Sequence, residues 1–191
     1  LLPLGIGLYL KEKFGAKWKI FFIGMATFIV SQIVHLPLLL GWQQLLIALG
    51  VAQNEAPSTL LLAGLVLAVS FFAGICEEPA RWFAYQLLKA EGDSSRSALM
   101  LGAGHGGIES MLVGVSVIGN AIVLMLINAG TFPLEQLAPA QAAALQQVGE
   151  LPWYMPLWGG LERLSAVILH ISLSVVVWLG VRDKQPVRLL A

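Results

Sequence analysis

Residues 59–76, TLLLAGLVLAVSFFAGIC, run without a charge and are followed at once by Glu77-Glu78-Pro79-Ala80-Arg81, after which the apolar character resumes at Trp82. As a helix rising about 1.5 Å per residue, such a run covers most of a hydrocarbon core roughly 30 Å thick. A charged side chain inside that core costs between about 3 and about 17 kcal/mol. Three of them within five positions require partners, water or chemistry. The motif reads as the centre of an intramembrane active site.

Runs of this kind recur along the chain. Mean hydropathy is +0.81, 58% of residues are hydrophobic and 12% are charged, about half the usual charged share of a soluble domain. The sequence therefore predicts an all-α, polytopic transmembrane helical bundle, organised as a single integral membrane domain over residues 1–191. A nucleic-acid partner would call for a clustered basic surface interleaved with base-stacking aromatics, and the sequence holds none. The single cysteine, Cys76, excludes an internal disulfide, and its place in an apolar helix reads as packing.

Residues 1–10 read as the end of a truncated first helix, with no basic region or small-residue cleavage site to suggest a signal peptide. Residues 11–19, with four lysines, read as a juxtamembrane loop. The first full span is expected over 20–40, with Ser31, Gln32 and His35 in its second half and Pro37 near its end. A polar loop follows over 41–57, then a long second span over 58–89. Gly92 and Asp93 supply a helix stop and a helix start within the turn over 90–96. The third span, 97–128, is interrupted by the glycine-rich run at 102–107. A loop over 129–156 holds a short amphipathic helix at 139–148, a fourth full span covers 157–181, and a basic tail closes the chain.

The 11 Lys and Arg residues fall in alternate connections. Lys11, Lys13, Lys17 and Lys19 precede the first full span, Lys89 and Arg96 flank the second turn, and Arg182, Lys184 and Arg188 lie in the tail. The two intervening loops have none, and Arg81 and Arg163 are within spans. The positive-inside rule then assigns the basic loops and the C-terminus to the cytoplasm; the localisation expected is that of an integral protein of a bacterial cell membrane.

Distances along each helix from these basic ends give the polar residues a depth. Glu77 lies about 18 Å from Lys89, His105 about 13 Å and Glu109 about 20 Å from Arg96, and His170 about 18 Å from Arg182. Three helices thus bring a Glu pair, a His with a Glu, and a His to one level in the cytoplasmic half of the bilayer. His35, about 24 Å from Lys19, lies further out. Glu77 and Glu78 are four and three residues from Arg81, so either carboxylate can face the guanidinium. His105 and Glu109 are four apart on one face, and a carboxylate beside an imidazole in a low-dielectric pocket suits general-base work. The glycines around His105 allow a helix, a substrate or water to approach closely. Each signal also has a bland reading: a structural ion pair at Glu77, Glu78 and Arg81, a core hydrogen bond at His105, and a cross-helix bond from His170. Gln32 and His35 read as structural or supporting, and Glu162 with Arg163 as an interfacial pair too far out to meet Glu77.

The strings EEPAR, GHGGIES and ERLSAVILH, with FIVSQIVHLP in the first full span, resemble the YhfC family of intramembrane proteases, which is similar to the CAAX-prenyl protease and PrsW-type membrane peptidases. The likeness covers nearly the whole chain. It implies a Glu-Glu motif and two His residues from later helices around one water, with Glu77, Glu78, His105 and His170 catalytic and Arg81 and Glu109 supporting. CAAX-type enzymes commonly place the Arg one residue later, so the spacing here is closer to the PrsW type and either Glu can be the base. Where the CAAX group often has Asn or Asp after the last His, this chain has Ser174.

The function expected is hydrolysis of peptide bonds within the membrane by a Glu/His-activated water, on a membrane-embedded or membrane-associated protein or peptide. No Ser-His-Asp or Cys-His pairing occurs at a suitable depth. The glutamic route needs no cofactor and is favoured over a metalloprotease. A zinc-dependent version would draw on His105, Glu109, His170 and Glu77, although HxxxE is less specific than HExxH. A non-catalytic membrane scaffold and a proton-coupled transporter are the competing classes; a transporter would be supported by repeated halves with broken helices, and the sequence shows no repeat.

Overall fold

The computed structural model describes residues 1–51 and 58–185. Among these there are six α-helices: α1 (Leu2–Phe14), α2 (Trp18–Ala48), α3 (Thr59–Leu88), α4 (Ser95–Asn128), α5 (Pro139–Gly149) and α6 (Met155–Arg182). Four of them, α2, α3, α4 and α6, are long and apolar enough to cross a membrane, which supports an integral membrane protein with the expected all-α architecture.

Helix ends follow local chemistry. α1 continues through Lys11 and Lys13, beyond the boundary expected at residue 10, and stops at Gly15, whose φ of 66° places it in the left-handed region. α2 extends well past the expected residue 40. It runs through Pro37 and Gly41 to Ala48, because a backbone in hydrocarbon must satisfy its polar groups internally and neighbouring helices tolerate a Pro. The rest of the loop expected over 41–57 lies largely outside the described residues. α3 starts where Ser58 accepts the N–H of Leu61 at 3.3 Å and passes without a break through Pro79. After a 3₁₀ turn at Lys89–Glu91, α4 is capped by Ser94, which accepts the N–H of Ser97. Asp93, expected as the helix start, instead accepts the indole N–H of Trp178 at 3.2 Å. Arg182 stacks over that same ring, 4.8 Å from its centroid, so α6 is pinned to the α3–α4 turn at the basic end.

α4 is the central helix and packs against α1, α2 and α6. The glycine run does not interrupt it. Every residue from Met100 to Gly107 is buried, with Met100, Leu101, Ala103 and His105 fully inaccessible. The glycines permit backbone contact. A Cβ on Gly104 would strike the carbonyl of Phe21 on α2, and one on Gly106 would lie 2.8 Å from the His170 ring on α6. Small residues are thus used here for close packing of helices.

Along the four spans, burial is confined to one half of the bundle, and Leu145 of α5 is the buried residue at the other end among the described residues. α3 has no buried residue before Glu77, α4 none after Gly107, α6 none before Val167 and α2 none after His35. The polar residues singled out above therefore sit at the inner edge of the packed half, where it meets the apolar, exposed lengths of the same helices.

Candidate active site

Glu77 projects from α3 into the space between α4 and α6. Its Oε2 lies 3.1 Å from Nε2 of His105, 3.7 Å from Nδ1 of His170 and 3.2 Å from Nη2 of Arg81. Arg81, one turn further along α3, is completely buried. It donates to Glu77, to Glu78 and, at 2.5 Å, to Nδ1 of His170. The His105 and His170 rings are 5.0 Å apart, and the edge of Phe28 packs against His105 at 5.4 Å. Burial of such charges is tolerable only when each is paired, and the three helices supply that pairing reciprocally.

The two glutamates, equivalent in sequence, are unlike in structure. Glu77 touches both histidines. Glu78 spends one oxygen on Arg81, and its Oε2 is buried without a protein partner, as are Nε of Arg81 and Oγ of Ser174. The backbone carbonyl of Ser174, in contrast, accepts the Tyr85 hydroxyl at 3.0 Å.

Glu109 shares a helix face with His105 but bonds elsewhere. It accepts from Nε2 of His170 at 2.6 Å, while its second oxygen receives Nη1 of Arg163 at 2.9 Å. The expectation that Arg163 stays at the interface with Glu162 is thus half right: the guanidinium holds Glu162 and also reaches inward to Glu109. Arg163 is seven residues, roughly 10 Å of helix, from His170. Its own length and the rise of Glu109 beyond His105 close that gap. Gln32 and His35 bond to each other at 3.2 Å, and no bond joins them to Glu77, His105 or His170.

Thr27 of α2 was not foreseen. Its hydroxyl lies 2.8 Å from Nδ1 of His105, in a buried contact. The signal was present: Gly24, Thr27, Phe28, Ser31 and His35 recur at helical spacing and make one face of α2, all of it buried.

Glu77, His105 and His170, all buried, each offer one ligand atom within 4.8 Å of the others, a group that can hold a metal ion. Two imidazoles and a carboxylate are the donor set of His₂Glu catalytic zinc sites, in which a fourth position stays open.

A family model described as YhfC intramembrane metalloprotease matches residues 1–191. The chain belongs to that family. It is 34% identical over 198 residues to the uncharacterized membrane protein YhfC of Bacillus subtilis (strain 168), in an alignment covering 100% of this chain and 74% of that protein. No solved structure matches. An intramembrane protease is therefore supported. The preference for a metal-free glutamic mechanism is not, since the family description names a metalloprotease and the buried donor set suits a metal. Kinship with PrsW-type peptidases is not shown.

Proposed function

We propose that this YhfC-family chain hydrolyses peptide bonds of membrane-embedded or membrane-associated proteins at a zinc centre held by Glu77, His105 and His170. The observation that carries this reading is the convergence of one carboxylate and two imidazoles, from three helices, on one buried point. A bound zinc ion would supply Lewis-acid polarisation of the scissile carbonyl and make water acidic enough to react near neutral pH.

The chain's own residues do the rest. His105 Nε2 and His170 Nδ1 would be the nitrogen ligands, the latter on release from Arg81 Nη2, and the other nitrogen of each ring is engaged by a second group, the arrangement that orients metal-binding imidazoles. Arg81 donates to Glu77 and braces Glu78. With Glu77 engaged as a ligand, Glu78 is the carboxylate whose unpaired oxygen accepts a proton from the attacking water and returns it to the leaving amine. Glu109 and Arg163 hold His170 from the other side. Substrate reaches these groups from the exposed, apolar lengths of α3, α4 and α6, whose inner end is the site itself.

A second reading has its own observation. Nη2 of Arg81 is within bonding distance of both Glu77 Oε2 and His170 Nδ1, so a guanidinium already supplies positive charge between two of the three groups. In this version Glu77 is the general base, His105 steadies the water and no metal is needed. A scaffold would need none of this chemistry.

The test is a comparison of membrane proteomes from cells expressing wild-type protein and Glu77→Gln, each with and without a membrane-permeant chelator. Peptides that disappear in the variant and on chelation support the zinc protease. Cleavage lost in the variant but resistant to chelation supports the metal-free version, and cleavage unchanged in both argues against catalysis.

A further inference from the structure

Thr27 lies outside every motif considered above, yet its hydroxyl determines which nitrogen of His105 is available. Oγ1 carries one proton. It sits 2.6 Å from the carbonyl oxygen of Gly24, an acceptor with no proton to offer, so the hydroxyl proton must point there. The remaining short contact of Oγ1, 2.8 Å to Nδ1 of His105, then has only one possible direction: the ring N–H donates and the hydroxyl accepts. With the proton on Nδ1, a neutral His105 turns the lone pair of Nε2 toward Glu77 Oε2, 3.1 Å away. Two acceptors face each other, a contact that either a proton on one of the two groups or a bound metal ion relieves.

His170 is set the opposite way. Its Nε2 lies 2.6 Å from the carboxylate of Glu109 and donates to it, while Nδ1 accepts from Arg81. The two rings thus turn different nitrogens toward one carboxylate.

We infer that Thr27 is a positioning residue that locks His105 in the Nδ1–H tautomer and so presents Nε2 as a ligand. The fold makes the lock rigid. One turn before Thr27, a Cβ on Gly24 would strike the carbonyl of Leu101 on α4, so α2 and α4 touch at the backbone beside His105. The ring is completely inaccessible, with Phe28 against it, and has no room to flip away. The consequence for zinc rests on the zinc reading above; the tautomer does not.

The experiment uses the full chain in lipid nanodiscs as wild type, Thr27→Val, which keeps the shape but removes the hydroxyl, and Thr27→Ser, which restores it. Monodisperse elution and thermal melting report folding, and Thr27→Ala replaces the Val variant if that does not fold. Zinc affinity is read by competition with a chromophoric chelator. Imidazole ¹⁵N spectra of zinc-free protein, with His105 assigned by its own substitution, read the tautomer. The expected result is a loss of zinc affinity of about 10- to 100-fold in the variant lacking the hydroxyl, the usual cost of a lost outer-shell partner. His105 loses its fixed Nδ1 proton, and the Ser variant stays close to wild type on both readouts. Wild-type affinity in a folded variant lacking the hydroxyl, or weakened affinity with an unchanged His105 spectrum, overturns the inference. If wild type takes up no zinc while Thr27→Val still displaces the Nδ1 proton, the zinc reading fails and the Thr27 lock stands.

Discussion

At the scale of residues, the site separates two glutamates that adjacency makes look interchangeable. Glu77 faces both histidines and Glu78 faces Arg81, so their conservative variants have different outcomes. Glu77→Gln is expected to abolish zinc uptake along with cleavage. Glu78→Gln is expected to retain zinc and to lower kcat by about 10²- to 10⁴-fold, the usual worth of a general base. Elemental analysis of each purified variant beside a cleavage assay checks the split, and zinc retained in Glu77→Gln would contradict it. Arg163 acts at one remove. Arg163→Ala leaves Glu109 with one ionic partner fewer, and zinc affinity is expected to fall about 10-fold while the ligands themselves remain. Competition titration reads this directly. The common level of the candidate site was legible in the sequence because Glu77, His105 and His170 stand at similar distances from basic helix ends. The Glu109–Arg163 bond was not, because counting along a helix measures where a Cα sits and ignores the reach of a long side chain.

At the scale of elements, hydropathy located the four spans because a membrane helix must keep all its backbone bonds internal. The same rule explains the misplaced ends. Pro37 and Gly41 are strong stops in water, but α2 continues beyond both. The glycine run of α4 misled in the same way: glycine weakens an isolated helix, yet here the missing Cβ atoms let α2 and α6 approach to backbone contact. Gly104→Val should therefore push α4 from α2. The expected cost is at least about 1–3 kcal/mol, the range for overpacking a dense core, seen as a lower midpoint in denaturant unfolding. Gly114→Val, on the exposed length of the same helix where nothing lies within 4 Å of an added Cβ, is expected to leave the midpoint unchanged. Equal midpoints for the two variants would contradict the packing role assigned to the run.

At the scale of the whole molecule, the spans are buried along one half of their length and exposed along the other, and the candidate site lies at the junction. The distribution of basic residues predicts which half faces the cytoplasm. Reporter fusions placed in the 129–156 loop and after the C-terminus are expected to report opposite sides of the membrane, the tail on the cytoplasmic one. The lysines at the start of α2 support a common basic end, since Lys17 and Lys19 both bond Glu91 of the α3–α4 turn, at 3.1 and 2.6 Å. Exposed pairs of this kind add little stability, but they show that the ends predicted to share a side are neighbours in space. That burial along α3 begins only at Glu77 was not legible from composition, because the lengths of α3 on either side of the motif are both rich in apolar residues. Only the placement of α4 and α6 distinguishes them.

The central claim is that Glu77, His105 and His170 form one metal centre. Elemental mass spectrometry of wild-type protein purified without chelators, beside His105→Ala and His170→Ala, tests it most directly. One zinc per chain in the wild type and none in either variant is the predicted result. A metal-free wild type that still cleaves its substrate in the presence of chelator, or a full zinc complement in either His variant, would contradict it.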